Sequence, residues 1–88
     1  MRILGKDTLG NLQKNNKWLA IWLSELACAQ WGGSNDVIKQ FPKAKKCNDN
    51  LFLFTTNPER YCVEVRFSFP HRTALITALT KLTENNNE

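Results

Sequence analysis

Cysteine is scarce in this 88-residue chain and odd in number: Cys28, Cys47 and Cys62, with no C-x-x-C spacing among them. That pattern gives neither a disulfide framework nor a zinc site, and reads as reduced thiols. A single histidine, His71, leaves no cluster at metal-ligand spacing, so no metal or other cofactor is expected. Long apolar runs are missing as well. The longest, 18–29, is broken by Ser24 and Glu25 and is too short to cross a bilayer, and no charged-then-apolar leader opens the sequence. The expectation is a cytoplasmic protein with no membrane partner. Internal repeats are absent, and only 84–88, with three consecutive asparagines, reads as a disordered end to a single domain over 1–83.

Acidic residues are the minority charge. Twelve Lys and Arg against eight Asp and Glu leave a net charge of +4, a balance that suits a polyanionic partner. The apolar fraction is 42%, with three Trp and five Phe, which is enough to fill one modest core in a chain of this length.

The order of patterns points to helices first and a sheet afterwards. Residues 1–4 form a short alternating strand closed by Gly5, and Asp7 stands as an N-cap before Leu9 and Leu12, in a first helix that Asn15-Asn16 interrupts or ends. Trp18, Leu19, Trp22, Leu23, Leu26 and Ala29 recur at the spacing of a buried helical stripe, which Gly32-Gly33 closes. Ser34 reads as the N-cap of a short third helix that Pro42 stops. The period then changes to alternation. Residues 51–54 read as a strand, Asn57-Pro58-Glu59 as a turn, and Tyr61, Val63, Val65, Phe67 and Phe69 as one apolar strand face, with Cys62, Glu64, Arg66 and Ser68 opposite. After the turn at Pro70-His71, residues 73–79 read as a last strand. The fold class expected is α+β, with N-terminal helices packed on one face of a small antiparallel sheet and the other face free to bind. Trp18, Trp22, Leu26, Phe41, Phe52, Phe54 and Val63 are the expected core.

From Trp31 the chain runs through Asp36-Val37-Ile38, Phe41-Pro42-Lys43-Ala44 and Leu51-Phe52-Leu53-Phe54 to Tyr61 without a gap. In those residues and spacings it resembles the HigB family of bacterial toxins, RelE-like messenger-RNA interferases of type II toxin-antitoxin systems. The opening 1–7 and the helix bearing Trp18, Trp22, Leu26 and Trp31 are similar to family members too, with a shortening between Leu9 and Lys17. The resemblance implies a RelE-like fold, cleavage of messenger RNA at the ribosome, and a helix-turn-helix antitoxin (HigA-like) as partner.

The same resemblance implies an arginine directly after Tyr61 and a Gly-Thr-His-x-x-Tyr ending. This chain carries Cys62 at the first position and lacks the second. Metal-free phosphodiester cleavage needs a base for the 2′-hydroxyl, cations for the phosphate and an acid for the 5′-oxygen, and a neutral thiol replaces none of these. Residues 78–83 can be encoded as GCA CTC ACG AAG CTT ACN. If the Thr77 codon ends in G, the frame one nucleotide earlier reads Gly-Thr-His-Glu-Ala-Tyr, the ending of a frame-shifted toxin.

The catalytic candidates that remain are Arg60, Arg66 and His71. Lys39, Lys43, Lys45, Lys46 and Arg72 are the candidate RNA-backbone contacts, with Tyr61 or Phe67 to stack on a base. The alternative for the lysines is a solvated loop, or a seat for an acidic antitoxin segment. The function expected is a HigB-like toxin with impaired cleavage; the alternative is a non-enzymatic module that sequesters an antitoxin or blocks another protein or RNA.

Overall fold

A computed structural model describes residues 1–56 and 60–82; the expected turn at Asn57-Pro58-Glu59 and the 84–88 tail lie outside them. Strand β1 (Arg2–Leu4) leads through a 3-10 turn (Lys6–Leu9) to the one-turn helix α1 (Leu12–Asn15), then to α2 (Lys17–Cys28) and α3 (Ser34–Gln40). Four strands follow: β2 (Lys45–Lys46), β3 (Leu51–Thr55), β4 (Tyr61–Ser68) and β5 (Thr73–Lys81). The α+β order is as the sequence implies.

The sheet is mixed where pure antiparallel pairing was expected. Its order is β1-β5-β4-β3-β2, and β1 lies parallel to β5 with Arg2 opposite Thr73 and Leu4 opposite Leu75. A three-residue strand shows its alternation in the sequence, but its neighbour is set by packing. Gly5 fixes the exit from β1: its φ is 81°, and a Cβ there would collide with the Ile76 carbonyl oxygen. Only glycine combines that conformation with so close an approach of two backbones.

Several helix ends differ from the sequence reading: Gly5 precedes the 3-10 turn and Asp7 lies inside it, and Gly33 precedes α3 with Ser34 as its first residue, so neither Asp7 nor Ser34 is the N-cap. Asn16 is the N-cap of α2, its Oδ1 accepting from Leu19 N at 3.0 Å. Gly10, at φ 57°, separates the 3-10 turn from α1. Helix α2 stops at Cys28 on an extended Ala29, so Gly32-Gly33 plays no part in capping it. Gly32 N donates instead to Asp36 Oδ2 at 2.8 Å, across the start of α3.

One face of the sheet is closed by α2 and α3. Leu19, Trp22, Leu26 and Val37 from the helices meet Phe52, Phe54, Val63, Val65, Phe67, Ala74 and Ile76 from the strands in one buried cluster. Trp22 sits 5.2 Å from Phe54 and 6.0 Å from Trp18, centroid to centroid. Trp18 and Phe41, expected in the core, are only half-buried. They stand at its margin, lining a hollow between α3 and the sheet.

Candidate functional site

Alternation decides what the open face carries. Because Val63, Val65 and Phe67 point into the core, Cys62, Glu64, Arg66 and Ser68 of β4 project from the other side. Cross-strand register then builds that face row by row. Cys62 lies between Thr55 and Thr80, Glu64 between Leu53 and Ala78, Arg66 between Leu51 and Leu75, and Ser68 beside Thr73. Lys45 extends the Glu64 row through Leu53, while Leu4 and Arg2 extend the last two rows.

The candidate residues fall into separate groups. Arg66 is on the open face, and His71 is held near its end, with Nδ1 2.8 Å from Ser68 Oγ. Arg72 follows in the same turn at φ 51°, and its carbonyl accepts from Arg2 N at 2.7 Å. Arg60 stands at the opposite end of β4, six residues from Arg66, roughly 20 Å along an extended strand. These three catalytic candidates therefore do not converge on one point.

The lysines disperse as well. Lys45 alone of them belongs to an open-face row. Lys46 stands opposite Phe52 and pairs with Asp49 at 3.2 Å. Lys39 is exposed on α3, on the helix-covered side. Lys43 and Arg60 both line the hollow between α3 and the sheet. Tyr61 has the strand parity of Val63 and is half-buried, and Phe67 is 2% exposed, packed against Trp31, Phe52 and Phe54. Phe67 thus belongs to the core and cannot stack on a base.

Glu64 is the open-face group that the sequence reading passed over. Its carboxylate accepts from Thr77 Oγ1 at 2.6 Å, and Thr77 is the extra residue of a bulge where the β4–β5 register shifts. A bulge re-aims side chains and is often found beside functional sites. The alternating pattern showed Glu64 on this face between Cys62 and Arg66, but only the register sets it in one row with Lys45, across Leu53. Burial pushes the Cys62 thiol up from its ordinary pKa, with Cys47 and Glu64 adding and Lys45 opposing. Cys62 is accordingly a neutral thiol at neutral pH.

The face can hold a polyanion along Arg2, Arg66 and Lys45, and Glu64 supplies a carboxylate among them. Among the described residues, no group of three or more His, Cys, Asp and Glu is placed to hold a metal ion. No described helix is long and apolar enough to cross a membrane. Comparison of the chain with protein-family models, with curated proteins and with solved structures finds no match.

Proposed function

We propose that this protein is the toxin component of a type II toxin-antitoxin system, a HigB-like messenger-RNA interferase scaffold that binds RNA along the open sheet face and cleaves it poorly as written. The observation that carries the reading is the pairing of Cys62 with Thr80. The resemblance implies an arginine at position 62, and if the gene carries the codons written above, the shifted frame would put the family's histidine on the Thr80 codon. Positions far apart in the chain thus share one row of one face, with Cβ atoms about 5 Å apart.

An arginine and a histidine on that row stand close enough to act on one phosphodiester. The guanidinium would hold the charge growing on the phosphate, and the imidazole would move a proton. Glu64, one row away, is a carboxylate placed to take the 2′-hydroxyl proton. In the chain as it stands a neutral thiol and a hydroxyl occupy the two positions, which accounts for impaired cleavage.

The test is a repair. Cys62→Arg and Thr80→His, made together, should give ribosome-dependent, site-specific cleavage and growth arrest, with each single variant falling short by 10²-fold or more. The original chain should cleave weakly or not at all. Robust cleavage by the unrepaired chain, lost in His71→Ala, would overturn the reading and move the chemistry to Arg66 and His71.

A second reading is a non-enzymatic module that docks a helix-turn-helix antitoxin or another protein. Leu4 and Leu75 favour it: they are register partners on the open face, each 39% exposed. Co-purification of such a partner by a chain that cleaves nothing even after repair would decide for it.

A further inference from the structure

The hollow beside α3 is a different site from the open face. It measures about 600 Å³ and opens between the start of α2, the end of α3 and the adjoining ends of β3 and β4. That volume lies within the roughly 300–1,000 Å³ of small-ligand pockets. Trp18, Phe41 and Phe54 supply aromatic wall, and Lys43 and Arg60 belong to the same lining. Phe41 is braced edge-on by Trp31 at 6.0 Å and by Phe54 at 5.5 Å, so its ring is held in place before any ligand arrives.

Polar groups in the lining are equally prepared. Gln40 Oε1 accepts from Trp31 Nε1 at 3.1 Å. An indole nitrogen only donates, so this contact fixes the amide and leaves its NH₂ free to donate. Lys43 and Arg60 have no ion-pair partner among the described residues. Two cations with no ion pair among the described residues, beside a braced aromatic wall, fit a ligand that joins a planar ring to an anion.

We propose that this hollow binds a nucleoside monophosphate. The base lies against Phe41 and Trp18, a base carbonyl accepts from the Gln40 amide, and the phosphate sits between Lys43 and Arg60. Stacking and a charge-assisted phosphate contact are each modest alone and together select a nucleotide over either half. The inference stands on the cavity and does not require that the open face bind or cleave RNA.

Uridine 5′-monophosphate is the probe, titrated into the full chain at low salt and followed by tryptophan fluorescence and calorimetry. Saturable one-to-one binding is expected, with inorganic phosphate and uridine each at least tenfold weaker. Lys43→Ala and Arg60→Ala should each weaken it about tenfold, whereas Lys14→Ala, the same change of charge on exposed α1, leaves it unchanged. Arg60→Lys should recover part of the loss, and matching melting temperatures show that the variants remain folded. Absence of saturable binding would overturn the proposal. So would binding that survives both Lys43→Ala and Arg60→Ala, or binding that falls equally with Lys14→Ala.

Discussion

Cys62 joins the chemistry of single residues to the state of the whole open face. Its thiol is half-buried, whereas Cys28 and Cys47 are exposed. Burial disfavours the thiolate first, the neighbouring Cys47 and Glu64 disfavour it further, and Lys45 offsets only part of this. Because the thiolate is the reactive form, a thiol reagent at mildly alkaline pH should modify Cys28 and Cys47 before Cys62, read by mass spectrometry of timed samples. Linkage gives the sign of a second readout. A group whose folded pKa is raised contributes stability that is fully present below its unfolded pKa, about 8.5 for a thiol, and lost as pH rises through the folded value. Melts should therefore show native stability declining on the alkaline side relative to Cys62→Ala, with no difference in that slope near pH 7. Equal modification rates for all three thiols would contradict the burial argument.

At the scale of elements, helix α2 shows what an amino-acid pattern reveals and where it stops. Leu19, Trp22 and Leu26 are buried as their spacing requires, since a 3.6-residue period places them on one stripe. Asn16 was legible as a boundary but not as which boundary, because asparagine serves both the end of one helix and the cap of the next. Its side chain, 5% exposed, holds the first turn of α2 through Leu19 N. Asn16→Ala should cost about 1–2 kcal/mol in chemical denaturation, and Asn16→Ser less, because a neutral hydroxyl oxygen accepts the same bond. Similar losses for both variants would mean that the cap contributes nothing. The strands divide in the same way. Alternation in β4 assigned every side chain to its face correctly, whereas the parallel β1–β5 pair and the Thr77 bulge depend on contacts between distant segments that alternation does not encode. The candidate site was legible as residue types and not as groupings. Arg60 and Arg66 share one parity in sequence, yet the end of α3 draws Arg60 and Lys43 together at one hollow while Arg66 stays on the open face.

Across the whole molecule, the helices cover one side of the sheet and leave a basic face on the other, and that asymmetry makes RNA binding testable without any cleavage. Arg2, Lys45 and Arg66 are the cations in open-face rows, with Arg72 and His71 in the turn at their edge. Three phosphate contacts on a single strand release counterions with a slope of about −2 in log K against log salt. Affinity for a short single-stranded RNA should then fall roughly fifteen- to twentyfold between 50 and 200 mM salt. Arg66→Ala should weaken binding and reduce the slope by about 0.7, because one phosphate contact is lost. Lys39→Ala carries the same change of net charge but lies on α3, on the covered side of the sheet, and should leave the slope intact. Fluorescence anisotropy at four salt concentrations separates the two possibilities. If net charge alone attracted the RNA, both variants would lose equally; if the open face holds the strand, only Arg66→Ala changes the slope.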